Sequence, residues 1–508
     1  MTSLNPLQFA IFFGVIAFVA ALTWWQCRDK GQARENSANE VFLAGGGLTW
    51  IFVAGSITIT NLGTEQLVGM NGNQMALLAL WEISGMVGLL ILAFVFVPIY
   101  YRYKCTTTTE LLERKYRDDR IRTLISALFM LGYVFLSMPS ALYTGALFLQ
   151  TVFGIKIGLI TLGGGIALLG AGYGLLGGLR AVAASETFSG TALLLICLVI
   201  VALALAAIQY DFSGIPKERL TLIGDKDSPI PWPTLFTGMI FIQIFYWSTN
   251  QAITQRAMAS PNVREAQKGV VLAAGIRILI VPMIVVLPGI VAFKLYGDIG
   301  DAAFGQLVGR ILPPWLSGAF AAILVTSVAT HFVAILNSAA ALYVCDIHQK
   351  YINPKVSVSR LNAIVSVIFI AIALCMIQVY AQAESIINLL QQINGLLSMP
   401  ILSAFIVGLL FKHVDAKAAI GGVLFGIVFY GWVSLKDDQI KVLIELALYR
   451  WASLKESPFD LHYIHMMFIT LWLSVGFSLA VNRWILGNRA VFAPFWREKD
   501  ELMEPPPA

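Results

Sequence analysis

Apolar residues in this chain fall into long runs separated by short stretches of charge, glycine and proline. The runs cover 7–25, 49–70, 76–101, 122–152, 157–176, 182–208 and 233–251, then 270–293, 315–345, 361–380, 385–411, 417–434 and 463–484. A helix needs about 20 residues to cross a hydrocarbon core ~30 Å thick, and most runs reach that length. Backbone groups in lipid must be satisfied within the segment, so each run is expected to be helical. The pattern predicts an all-α polytopic membrane protein with about 13 transmembrane helices. An odd number puts the two termini on opposite sides. The first run, Leu7 to Trp25, reads as a membrane helix and not as a cleaved signal.

Two spans break the apolar rule in the same way. The second carries Thr58-Ile59-Thr60-Asn61-Leu62-Gly63-Thr64-Glu65-Gln66, and the seventh carries Gln243-Ile244-Phe245-Tyr246-Trp247-Ser248-Thr249-Asn250-Gln251. Polar groups at mid-membrane are costly unless they line a cavity or face other helices. Interrupted helices at equivalent places in two halves point to a five-plus-five inverted repeat of a secondary transporter. The expected division is a single transporter domain over 1–508. Spans 2–6 (about 49–208) and spans 7–11 (about 233–411) form the repeats, 1–48 is an extra N-terminal helix and loop, and 412–508 holds extra C-terminal helices and a tail.

Composition narrows the class. Of 508 residues, 58% are hydrophobic and only 12% charged, half the usual charged share of a soluble domain, which excludes an ordinary soluble enzyme. The net charge of +5 is too small for a nucleic-acid binder. Lys and Arg concentrate in alternate loops, with Arg28, Lys30 and Arg34, a dense cluster from Arg102 to Arg122, Arg180, Arg256, Arg264, Lys268, Lys350, Lys355, Arg360, Lys412 and Lys417 on one side. That bias predicts a multi-pass cell-membrane protein with its N-terminus outside and its C-terminus cytoplasmic. The five cysteines are scattered and form neither a disulfide framework nor a zinc motif.

Several stretches together carry a resemblance to a known family. They are Thr64-Glu65-Gln66-Leu67-Val68-Gly69-Met70, Trp81-Glu82, Gly177-Gly178-Leu179-Arg180-Ala181-Val182, Tyr246-Trp247-Ser248-Thr249-Asn250-Gln251, Gln255-Arg256, Glu265-Ala266-Gln267-Lys268-Gly269 and Leu336-Asn337-Ser338. In this order, from about residue 40 to 430, the chain resembles the sodium/solute symporter family, and specifically its sugar branch. The resemblance implies a LeuT-like fold, alternating access, and cation-driven uptake of a small solute, with the lipid bilayer as the surroundings. It leaves the oligomeric state undetermined.

By the same resemblance, Gln66, Glu82, Gln243, Arg277 and Gln391 fall at sugar-contacting positions and Tyr246 at the inner gate. Each has a plainer alternative. Gln66 and Gln391 can cap broken helix ends, and Tyr246 can be a packing aromatic. Glu82 is a mid-span carboxylate and so a functional candidate by default. Arg277 stands where the family's sugar members typically have lysine. Two readings stay open: it pairs with Glu82 and shapes the pocket, or its planar fork binds an acidic sugar. Gln243 replaces an asparagine, and Gly85 replaces a serine one turn after Glu82.

Sodium prefers oxygen ligands. The resemblance assigns the cation the carbonyls of Ile59, Leu62 and Ser327 and the Thr330 hydroxyl. His331 occupies the place of a second hydroxyl residue. Imidazole nitrogen is a poor sodium ligand and titrates near neutral pH. Three readings follow: a proton in place of sodium, a sodium site kept by the other oxygens, or a packing histidine. Glu186 falls near the family's cation exit path, or is simply an acidic residue at a helix start.

No haem, metalloprotease or nucleophile-elbow motif speaks for an enzyme. The leading expectation is a symporter coupling sodium to uptake of a sugar or sugar-like solute. The alternatives are a proton-coupled or cation-independent carrier of sugars or acidic sugars, and a solute sensor or channel on the same scaffold.

Overall fold

The computed structural model describes residues 6–28, 46–226, 228–382, 386–434 and 461–494, with backbone alone at some of these, 59–61 and 173–184 among them. The loop with Lys30 and Arg34, Asp227, most of the 435–462 loop and the last residues of the tail lie outside the described residues. Among the described residues the structure is all-α apart from one two-residue ribbon, in which Phe411 pairs with Phe492 and Lys412 with Val491, and an isolated bridge between Gly224 and Pro231. Among the described residues, nine helices are long and apolar enough to cross a membrane, from Ala76–Arg102 to Tyr463–Ile485, and two shorter apolar ones are Pro6–Leu22 and Leu159–Gly172. With the two interrupted spans, these correspond to the thirteen expected runs, Leu159–Gly172 and Ser185–Ala207 lying in one continuous stretch of helical backbone.

One expectation is corrected. Spans five and six were expected to be separated by a loop around Gly177 and Gly178, but the backbone is helical throughout Leu159–Ala207. Glycine lowers helix propensity by only about 1 kcal/mol, and no proline interrupts this segment. Glycine alone therefore does not end a helix here. Glu186 accordingly sits inside a helix and not at a helix start.

The helix Pro314–Ala341 is the axis of the bundle, and every residue from Phe320 to Leu336 is buried. It packs against Leu159–Ala207 and Pro6–Arg28. Against this axis lies the second span, which runs as Trp50–Asn61, bends at Leu62 and Gly63, and resumes as a wider π-helical turn over Glu65–Met70. A Cβ on Gly63 would lie 2.6 Å from the Glu65 carboxylate and 3.7 Å from the His331 ring. Glycine at the bend lets the broken helix approach both.

The seventh span is Gly238–Ile244, a π-turn over Phe245–Thr249, an extended residue at Asn250, and a second helix over Gln251–Met258. The break is stabilised by capping. Asn250 Oδ1 accepts from the Ala252 amide at 2.9 Å and from the Tyr133 hydroxyl at 2.6 Å, satisfying a donor that a helix start leaves unpaired.

Proline inside the eighth span is handled similarly. Pro288 interrupts Val281–Tyr296 and removes the amide that the Ile284 carbonyl would otherwise accept from. The fully buried Asn71 replaces that donor: its amide nitrogen bonds Ile284 O at 3.2 Å, and its oxygen accepts from Gly289 N at 2.7 Å. One side chain of the second span thus repairs the eighth.

Candidate solute and cation site

The two breaks face one another across a pocket. Its lining includes Gln66, Glu82, Gln243, Tyr246, Arg277 and Gln391, all six of the solute candidates, together with Glu65, Trp247 and His331. Residues as far apart in the chain as Glu65 and Gln391 are therefore gathered at one place by helix packing.

Arg277 and Glu82 form a buried ion pair, with Nη2 donating to Oε2 and each residue 1% exposed. The ion pair named in the first reading for Arg277 is thus present. The guanidinium also lies over the Trp247 ring, 4.6 Å from its centroid, a cation–π contact strengthened by desolvation. Gln243 donates to Trp81 O at 2.6 Å and Ser84 Oγ at 2.9 Å, while its oxygen accepts from Trp247 Nε1 at 2.9 Å. Tyr246 meets Trp247 edge-on at 5.2 Å.

Glu65 accepts from Ser140 Oγ at 3.2 Å and lies 3.9 Å from His331 Nε2. His331 is 7% exposed, and its Nδ1 is buried without a hydrogen-bond partner. On the axial helix, the Thr330 hydroxyl donates to Ser327 O at 3.0 Å. Ser327 Oγ and Thr58 Oγ1 are buried oxygens without a partner. Buried oxygens of this kind are the ligand type a sodium ion takes. Among the described residues, no three His, Cys, Asp or Glu side chains converge as a metal site.

Glu186 is fully buried and ion-paired with Arg256 at 3.1 Å, and Ser56 bonds both of them. The structure thus places this carboxylate in a link between the second, sixth and seventh spans. Its partner was not evident from sequence, because Arg256 lies 70 residues away.

A second buried charge was missed altogether. Asp346, at 0% exposure in the turn Leu342–His348, accepts from Arg122 Nε at 2.8 Å and Nη2 at 2.5 Å, from Thr109 at 2.5 Å, and from Ser126 and Thr107. Arg122 also pairs with Glu113 at 2.7 Å, and Lys350 with Glu113 at 2.5 Å. Burial pushes the Glu113 carboxyl up, but the bonds from Arg122 and Lys350 outweigh it and hold it below its ordinary value. The cluster fastens the short helix Thr108–Tyr116 to the end of the axial helix. The available signal was an acidic residue ending an apolar span that is otherwise followed by basic ones.

Comparison with known proteins agrees with this geometry. The profile of the sodium:solute symporter family matches residues 41–426. The chain is 32% identical over 505 residues to the symporter YidK of Escherichia coli (strain K12), covering 94% of this chain and 84% of that protein. It is 30% identical over 470 residues to the sodium/glucose cotransporter of Vibrio parahaemolyticus, covering 84% of each. It is 27% identical over 475 residues to the sodium/myo-inositol cotransporter 2 of Mus musculus, covering 84% of this chain and 69% of that one. The solved structure of a Na+-coupled sialic acid symporter, in a substrate-bound outward-open state, superposes with a TM-score of 0.75 at 17% identity, over 97% of this chain and 99% of that one. The fold is therefore the LeuT-like one that the family resemblance implied.

Proposed function

Because this chain belongs to the sodium:solute symporter family, we propose that it couples inward movement of sodium to uptake of a sugar or sugar-like solute by alternating access. The observation that carries this reading is a shared pocket between two broken helices, lined by all six solute candidates. Gln66 and Gln391 offer amides to solute hydroxyls, Tyr246 supplies an aromatic face, and Glu82, Arg277 and Gln243 form the polar wall. The named sugar and inositol cotransporters among its relatives support this solute class.

Sodium in this reading binds the carbonyls of Ile59, Leu62 and Ser327 and the Thr330 hydroxyl, joining the bend of the second span to the axial helix. Sodium is cargo here, not a resident cofactor. Spans 2–6 (about 49–208) and 7–11 (about 233–411) act as the two inverted repeats, with 1–48 and 412–508 outside them. The Lys and Arg bias supports a plasma-membrane orientation with the N-terminus outside and the basic loops cytoplasmic. Glu186, neutralised by Arg256, would tie the moving helices together along the cation's way to the cytoplasm.

A proton in place of sodium is the second reading. The observation favouring it is the imidazole at the cation position, with Glu65 3.9 Å from its Nε2. His331→Ser separates the two. If sodium is the coupling ion, the added hydroxyl lowers the sodium concentration for half-maximal uptake by about tenfold, the equivalent of ~1.4 kcal/mol. Sodium-independent uptake that follows an imposed proton gradient in the wild type, and is lost in His331→Ser, would instead establish the proton reading.

A further inference from the structure

We propose that Trp247 is the specificity-determining residue of this pocket: it holds Arg277 and Gln243 in a closed polar platform that turns solute carboxylates away and leaves the site to neutral polyols. The inference rests on the reading of this pocket as a sugar site. Four observations carry it.

Trp247 is 1% exposed and among the largest fully buried side chains. Its indole N–H holds the Gln243 oxygen at 2.9 Å, and its ring face carries the Arg277 guanidinium at 4.6 Å. The other ends of both residues are also engaged, Gln243 on Trp81 O and Ser84, and Arg277 on Glu82. The platform therefore bonds mainly to itself and to the third span.

The third span is cut to fit the indole. A Cβ on Gly85 would lie 3.0 Å from Trp247 Nε1, and one on Gly88 2.3 Å from the Gln243 carbonyl oxygen and 2.7 Å from Trp247 Cδ1. A side chain at Gly88 would part the third and seventh spans beside the indole, and one at Gly85 would make the indole give by a few tenths of an ångström.

Charge in the pocket points the same way. Its lining has two carboxylates, Glu65 and Glu82, against the single guanidinium of Arg277. With Arg277 paired to Glu82, an incoming carboxylate would have to displace Glu82 and would still face Glu65. A hydroxylated neutral solute meets no such repulsion, because amides and a phenol bond hydroxyls without a change of charge. Arginine in this setting acts as a wall, not as a carboxylate clamp.

The test uses the full-length protein in proteoliposomes, with radiolabelled D-glucose and myo-inositol as neutral probes and D-glucuronate as the acidic one. Wild type is expected to take up a neutral probe saturably, and glucuronate in hundredfold excess is not expected to compete. Trp247→Phe keeps the ring face but loses the N–H, so the KM for the neutral probe rises about tenfold with little change in kcat, while glucuronate stays excluded. Trp247→Leu removes the face as well, and glucuronate then competes. Should Trp247→Leu not fold, Trp247→Met likewise lacks both the ring face and the N–H and is expected to weaken the exclusion of glucuronate. Wild-type uptake of glucuronate on a par with glucose would overturn the inference while leaving the sugar-symport reading intact. So would loss of selectivity in Trp247→Phe equal to that in the more disruptive variant, or its absence in every variant. Absence of uptake of any of the three probes by folded wild-type protein would instead overturn the sugar reading itself, and this inference with it.

Discussion

Glu82→Gln is expected to lower the stability of the protein by about 3–5 kcal/mol and to abolish solute uptake, because it leaves the Arg277 guanidinium buried without its carboxylate. Both partners are 1% exposed, so water is poorly placed to compensate. Removing one member of a buried pair is costly, whereas removing both together is tolerated far better. The double variant Glu82→Gln with Arg277→Gln is accordingly expected to recover most of the lost stability without recovering transport. Thermal unfolding of the four proteins in detergent closes the cycle. Equal stability in the single and double variants would show that the pair is not coupled as described.

Asp346→Ala is the second large effect. Asp346 accepts from Arg122 twice and from three hydroxyls, and its loss strands several donors in a site at 0% exposure. Arg122 retains Glu113, and its side chain is 13% exposed, so the expected cost is about 3 kcal/mol, at the low end of the range for buried pairs. The local consequence is more specific. The segment from Thr106 to Tyr116 is held at its start by Asp346, through Thr107 and Thr109, and by Gln251, which accepts from the Thr108 amide at 2.8 Å. Cys105, 5% exposed, adjoins this segment. Its alkylation by maleimide, followed peptide by peptide, is expected to speed up at least about tenfold in Asp346→Ala, as local opening becomes easier. Unchanged labelling together with unchanged stability would remove the fastening role assigned to Asp346.

These two acidic residues also show what sequence can and cannot reveal in a membrane protein. Helices and their number were legible, since lipid allows almost nothing else to span it. The broken second and seventh spans were legible too, because polar residues in mid-membrane are rare enough to mark a cavity. Glu82 and Arg277 stood out individually for the same reason, and a family resemblance placed both near a solute. Their pairing was one of two readings the residues left open: 195 residues separate them, and only helix packing brings them into contact. Asp346 was missed because acidic residues near span ends are ordinary; its meaning comes from Arg122, Thr109 and Ser126 on other elements. The glycine-rich junction at Gly177 and Gly178 misled in the opposite direction, since glycine permits a turn without requiring one.

His331 is where composition and packing meet. A chain with only 12% charged residues commits very few ionisable groups to its interior. This one places an imidazole beside Glu65, next to the helix bend where family resemblance calls for a hydroxyl.

The central claim, that sodium entry drives solute uptake through this pocket, is tested most directly in proteoliposomes loaded with potassium and diluted into sodium. Radiolabelled D-glucose or myo-inositol is supplied at equal concentration on both sides. The account predicts transient accumulation above the equilibrium level under an inward sodium gradient, abolished by a sodium ionophore. Equilibration without accumulation under sodium, or accumulation driven only by an inward proton gradient, would contradict it.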